Sequence, residues 1–210
     1  MNVIIIGGAG GIGTQLVHDL MGTHNLLVGY RSSSLDVPVE SVQLDATNFE
    51  SVSSLITNAQ EKMDSVDAVV CLPGSLILKP AHKCTEDEFH STINTNLKTS
   101  FAVVRAAGGL LRDCSVVLMS TSAASIGLPN HELISASKAG VEGMVRSAAK
   151  TYARKNLRFN TVSPGMVDTP LTESITKNDI VRKASEKMHA LQRIGKPKDC
   201  LLYTSPSPRD

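Results

Sequence analysis

Short apolar runs alternate along the chain with longer stretches in which apolar residues recur every three or four positions. The short runs predict six strands, at Val3–Ile6, Leu26–Tyr30, Ser41–Leu44, Val66–Cys71, Ser115–Ser120 and Arg158–Val162. The longer patterns predict helices over Ile12–Met21, Phe49–Met63, Glu86–Leu111, Ser135–Arg154 and Asp179–Leu191, with Pro164 and Gly165 breaking the chain between the last two. Strand and helix in alternation imply βαβ units, and hence an α/β fold with a doubly wound parallel sheet. One link is thin. Only Arg31–Glu40 separates the second and third strands, near the minimum for a crossover with a helix, so the second helix is expected to shrink to a turn or vanish.

Composition narrows this picture. With 210 residues, the chain has length for one well-buried domain rather than two. Aromatic residues make up 3% and Trp is absent, so the core must come from aliphatic side chains and Met. A net charge of +1, with Lys and Arg scattered, offers no patch for nucleic acid or an anionic membrane. The apolar run at the start stops at Gly7, far short of a membrane span, and no basic leader precedes it. A reducing cytoplasm is the expected setting. Cys71, Cys84, Cys114 and Cys200 show no C-x-x-C spacing and read as small buried hydrophobes, with no metal site implied.

Candidate chemistry starts directly after the first strand. Gly7-Gly8-Ala9-Gly10-Gly11-Ile12-Gly13 fits both G-x-x-x-G-x-G and G-x-G-x-x-G. Between a strand and a helix, such glycines allow a tight turn, let backbone approach a pyrophosphate, and let the helix pack close to the sheet. The helix N-terminus then presents free N–H groups and positive dipole to the phosphates. A plain tight turn is the competing reading. At the end of the second strand an acidic residue would bind the ribose 2′-OH of NAD. Here the chain runs Tyr30-Arg31-Ser32-Ser33-Ser34. Arg31 can pair with a 2′-phosphate and the Ser hydroxyls can add donors, which points to NADP(H). Asp45, after the third strand, is a candidate acceptor for the adenine amino group, with ordinary capping as an equal alternative.

With these residues in place, the chain resembles the short-chain dehydrogenase/reductase family over residues 1–199, which implies a Rossmann fold and a small-molecule alcohol or carbonyl substrate. By that resemblance Asn96 falls on the active-site Asn and Lys138, in Ser135-Ala136-Ser137-Lys138-Ala139-Gly140, on the catalytic Lys. Pro164-Gly165-Met166-Val167-Asp168-Thr169 matches the segment after the sixth strand, where Pro164 and Gly165 flank the cofactor and Thr169 would contact the nicotinamide carboxamide. Arg193-Ile194-Gly195-Lys196-Pro197-Lys198-Asp199 looks like the lead-in to a last helix and seventh strand, which are expected to be missing. A homo-oligomer stays open.

Three departures qualify the resemblance. The family's Asn-Asn-Ala-Gly is Cys71-Leu72-Pro73-Gly74. The catalytic Ser position is Thr121, between Ser120 and Ser122, and the catalytic Tyr position is Ile134. Threonine can still donate to a carbonyl, whereas isoleucine can do no acid–base chemistry. His131-Glu132 is the nearest titratable pair to the vacated position, and His131 would share a helix face with Ile134 and Lys138 if that helix begins early. The expectation is an oxidoreductase with an altered proton donor. The alternative is an NADP(H)-binding sensor or scaffold without turnover. Cys200 to Asp210 resembles a transposon-type sequencing adapter read in frame, so residues 200–210 are expected to be a non-native tail outside the core. A natural Ser/Pro-rich tail is the competing reading.

Overall fold

A computed structural model describes residues 1–32 and 35–201. Ser33 and Ser34, and the tail beyond Leu201, lie outside those residues. Six strands form one sheet: β1 (Asn2–Ile6), β2 (Asn25–Tyr30), β3 (Glu40–Gln43), β4 (Ala68–Cys71), β5 (Ser115–Met119) and β6 (Arg158–Val162), in the order β3-β2-β1-β4-β5-β6. Every pairing is parallel. The predicted doubly wound sheet is therefore present, with strand ends within two residues of expectation.

Alternation along β1 shows how the two layers arise. Ile4 and Ile6 join the core on one face, with Leu27, Val69, Val116 and Leu118. Val3 and Ile5 point the other way, onto Leu16, Val17 and Leu20 of α1 (Gly11–Leu20). A strand buried on both faces has to be apolar at every position, which is why β1 reads as an unbroken run. The first face is covered by α2 (Phe49–Met63), α4 (Thr99–Leu110) and α6 (Glu132–Thr151). No helix lies between β2 and β3 among the described residues. Leu35, Val37 and Val39 of that short crossover instead rest against the α1 face.

Two expectations need correction. The single helix over Glu86–Leu111 is α3 (Glu86–Ile93) and α4 joined by a π turn, Asn94–Lys98. The widening has a local cause: side chains take over backbone acceptors. Asn96 Nδ2 donates to the Thr92 carbonyl at 3.0 Å, and Ser100 Oγ to the Asn96 carbonyl at 2.9 Å. At the other end, Cys200 is buried and Leu201 packs, partly buried, against the α1 face, so the core contact continues past residue 199. Preceding them, Arg193 grips Asp199 through two hydrogen bonds, 2.6 and 3.0 Å, and Gly195 bridges to Val167.

Between β6 and that segment lie two short helices, α7 (Glu173–Thr176) and α8 (Asp179–Met188). A single turn, α5 (Ala123–Ile126), precedes α6. The strand order reverses between β1 and β4, and a crevice opens beyond their carboxyl ends where their outgoing chains part.

Candidate active site

The crevice holds two adjoining cavities. The first, about 370 Å³, begins at the glycine turn. Gly7 sits at φ +83, a left-handed conformation that side chains resist, and its N–H bonds to the Gly29 carbonyl at 2.8 Å. A Cβ on Gly13 would lie 2.4 Å from the Gly7 carbonyl oxygen, so only glycine lets α1 start this close to the turn. No side chain caps α1 and its first turn carries no acid, so N–H groups of Gly11, Ile12 and Gly13 face the cleft ready for an anion. This cradle fits a dinucleotide pyrophosphate. Gly7, Gly10, Gly11, Ile12 and Gly13 line it, but Gly8 does not. A Cβ on Gly8 would fall 2.2 Å from Val28 Cγ1, so that glycine serves packing against β2.

At the far end Arg31 and Ser32 line the cleft, both exposed, where β2 ends without a carboxylate. Asp45 stands across from them and accepts from the Thr47 N–H at 2.9 Å and the Thr47 hydroxyl at 2.8 Å. Those bonds hold its carboxyl below the usual range, with a smaller pull from Arg31. These bonds form a local turn rather than a helix cap, a role that Asn48 takes for α2, and the carboxylate still borders the cleft. Thr169 lies directly over Gly11, where a Cβ would meet its side chain at 2.8 Å.

The second cavity, about 650 Å³, shares Ile12, Leu72, Gly74, Thr169 and Leu171 with the first. Lys138 lies at this junction, 6% exposed, with Nζ donating to the Met119 carbonyl at 2.9 Å. Burial lowers its pKa from 10.5 to about 8, although the neighbouring Cys71 pulls the other way. Burial likewise pushes the Cys71 thiol up to about 12, so it is no nucleophile. A Cβ on Gly74 would stand 3.8 Å from Lys138 Nζ and 3.2 Å from Asn96 Oδ1, which places ammonium and amide at one small residue. Asn96 itself is fully buried and clamps Ser75: Nδ2 donates to the Ser75 hydroxyl at 3.0 Å, while Oδ1 accepts from the Ser75 N–H at 3.3 Å.

Thr121 faces Pro164, its hydroxyl 3.5 Å from the Pro164 carbonyl, and it also lines the cavity. Ser120 turns away to Glu142 at 2.6 Å, which leaves Thr121 and Ser122 as the nearby hydroxyls. Ile134 is 4% exposed in the cavity wall. The helix does begin earlier than Ser135, but at Glu132, so His131 precedes it rather than joining its face. The cavity lining nevertheless includes His131, Ile134 and Lys138 together. The His131 Nδ1 sits 2.7 Å from the Pro129 carbonyl and must donate there, which leaves Nε2 for other work.

One residue escaped the sequence reading. His189, just after α8, has Nδ1 2.7 Å from the Ser185 carbonyl and Nε2 against Gly165, where a Cβ would fall 2.6 Å away. It lines the second cavity opposite no recognisable motif. The one local signal was Gly165 itself, a glycine where the His189 ring leaves no room for a side chain. No cluster of His, Cys, Asp and Glu suited to a metal occurs among the described residues, and none of their helices is long and apolar enough to cross a membrane.

Comparison with known proteins gives the same picture. Residues 25–203 match the family described as enoyl-(acyl carrier protein) reductase. The 3-oxoacyl-[acyl-carrier-protein] reductase MabA of Mycobacterium tuberculosis is 28% identical over 200 residues, covering 93% of this chain and 80% of the relative. The hydroxynaphthalene reductase-like protein Arp2 of Metarhizium acridum is 32% identical over 190 residues, covering 82% and 70%. Among solved structures, the ligand-free aldohexose dehydrogenase of Thermoplasma acidophilum superposes with a TM-score of 0.86 at 24% identity, over 95% of this chain and 83% of that one.

Proposed function

The chain belongs to the short-chain dehydrogenase/reductase family of oxidoreductases, and from that premise we propose that it interconverts a small carbonyl compound and its alcohol using NADP(H), with an altered proton donor. One observation carries the reading: the glycine-cradled cleft and the Lys138 cavity share a wall at Ile12, Leu72, Gly74, Thr169 and Leu171. A dinucleotide with its pyrophosphate on α1 and its adenosine end toward Arg31 has its other end directed to that wall.

A bound NADPH would supply a hydride, one hydrogen with two electrons, to the carbonyl carbon. The chain must do the rest. Arg31 meets the 2′-phosphate by a charge-assisted contact absent in NAD, and Ser32 adds a donor. Lys138, held at the junction, donates to the ribose hydroxyls. Thr121 donates a hydrogen bond to the substrate oxygen. The proton that completes the alcohol cannot come from Ile134. His131 is the group assigned to it: with Nδ1 tethered to Pro129, the imidazolium releases a proton from Nε2 and regains it from water.

The rival reading, NADP(H) binding without turnover, draws on Ile134 filling the wall and on Asn96 being engaged with Ser75 and Thr92. The two separate in one experiment. The purified protein is mixed with NADPH and a panel of ketones and aldehydes while nicotinamide absorbance is followed. Consumption with any panel member is the expected result. Tight NADPH binding with no consumption across the panel would favour the sensor.

A further inference from the structure

Inside the second cavity the balance of side chains is lopsided. Leu76, Leu78, Ile134, Met166, Ile175 and Val181 supply much of the lining, and Ile126, Leu171 and Met188 stand at its rim 68%, 52% and 63% exposed. Among the described residues lining it there is no Asp, Glu or Arg, and the one lysine, Lys138, is engaged with the Met119 carbonyl. Its polar side chains are largely engaged with the protein: Asn96 with Ser75 and Thr92, Ser120 with Glu142, Thr172 with the Val167 carbonyl. The two imidazoles have their Nδ1 donors on Pro129 and Ser185, so only the Nε2 of each is left for the cavity. Ile134 places an apolar surface where the family's pattern has a phenol.

We propose that the substrate is an uncharged carbonyl compound with an apolar alkyl or ring body, seated between the 76–78 segment, Ile126 and Ile134 on one side and α7–α8 on the other. The inference rests on reading this cavity as the substrate site. The physical grounds are desolvation and area. A carboxylate entering here would give up its water for one ammonium, Lys138, which is already engaged by the Met119 carbonyl, and a polyol would leave most of its hydroxyls without partners, each costing free energy. An apolar body loses nothing polar and covers the exposed rim side chains. A cavity of about 650 Å³ is ample for such a molecule.

The test is binding, independent of turnover. Thermal unfolding is followed with methyl alkyl ketones of rising length, butanone through decanone, and with glucose and pyruvate, each with and without saturating NADP+. Apparent affinity for the ketones should rise about fourfold per added methylene, in line with about 0.8 kcal/mol for each CH₂ buried, until the cavity is filled. Glucose and pyruvate should give no shift. A flat response to chain length, or tighter binding of glucose or pyruvate than of decanone, would overturn the proposal. Ile126→Asp and Met188→Lys alter exposed rim positions, where folding is not at stake. Each should weaken decanone at least fivefold and leave NADP+ affinity unchanged, and decanone affinity equal to the wild type's in both variants would also overturn it. An absent NADP+ shift beside a normal ketone series counts against the cofactor assignment alone.

Discussion

The two cavities share a wall but differ in kind. The cofactor cleft is made largely of backbone: a glycine turn, an uncapped helix start, and strand ends that hold Arg31 and Asp45 in place. The neighbouring cavity is made of side chains contributed by segments far apart in sequence, from Leu76 to His189. In the first, the residue types expected for dinucleotide binding are nearly all in position. In the second, Ile134 stands where acid–base chemistry would need a hydroxyl, and Thr121 stands for Ser. Binding can survive such changes, because backbone donors depend on the fold rather than on any one side chain. Proton transfer cannot, since it resides in single atoms.

The sharpest way to break this contrast is at its backbone end. Gly13→Ala puts a Cβ 2.4 Å from the Gly7 oxygen and 2.7 Å from Gly8 Cα, both main-chain atoms with little room to move. The expected cost is about 3 kcal/mol or more of stability. NADPH affinity should fall at least about a hundredfold as the cradle opens. Chemical denaturation and cofactor titration check both, and near-normal affinity in Gly13→Ala would show that the phosphates bind elsewhere.

Lys138 lines the second cavity beside Gly74, which the two cavities share, and its proton reports on that junction. Folded, the buried ammonium titrates near 8 instead of 10.5. Between those values the unfolded chain holds a proton that the folded chain has released. The lysine's contribution to folding stability therefore rises as pH climbs through that window and is a penalty below it. The amplitude is at most about 3 kcal/mol. Urea melts of the wild type and Lys138→Met across the window should diverge in slope, the variant lacking this rise. Parallel curves would mean that Lys138 is better solvated than its burial implies. Lys138→Ala should also weaken NADPH binding, since its ribose contact would be lost.

Chemistry at the side-chain end is tested by His131 and Ile134. If His131 carries the proton, His131→Ala keeps NADPH affinity while turnover drops by about 10² or more. Ile134→Tyr restores a hydroxyl four residues before Lys138 and should raise turnover. Unchanged kcat in His131→Ala would transfer the proton step to Thr121 or bound water.

How much of this was legible follows from the same division. The sheet could be read because its central strands β1 and β2 are buried on both faces, so Val3–Ile6 and Leu26–Val28 stand out as local runs. The glycine turn was equally local. Gly8 was misassigned because close packing and phosphate approach demand the same residue, and only the distance to Val28 separates them. The π turn at Asn94–Lys98 left no mark in apolar periodicity, since it goes with polar side-chain bonds, Asn96 to the Thr92 carbonyl and Ser100 to the Asn96 carbonyl. His189 was invisible for a related reason: nothing near it in sequence announces that α8 returns over Gly165. The site residues drawn from distant segments are the ones that a linear reading recovers least.

The smallest expected effect is also the most specific, because it concerns one phosphate. NADPH and NADH differ only at the adenosine 2′ position, and the proposed binding mode sets Arg31 and Ser32, which line the cleft, against that position, with Tyr30 rather than an acid at the strand end. NADPH should therefore bind at least tenfold tighter, about 1.4 kcal/mol. Arg31 is exposed, so solvent and salt screen it, and the margin should shrink as ionic strength rises. Arg31→Ala should remove most of the preference by weakening NADPH alone, with NADH affinity unmoved. Tyr30→Asp should reverse it, because a carboxylate there repels the 2′-phosphate and accepts from a 2′-OH. Titration of both cofactors against the three proteins gives the comparison directly. Equal weakening of NADPH and NADH in Arg31→Ala would place the guanidinium on the shared pyrophosphate instead, and the cofactor choice would then rest on Ser32 and its neighbours.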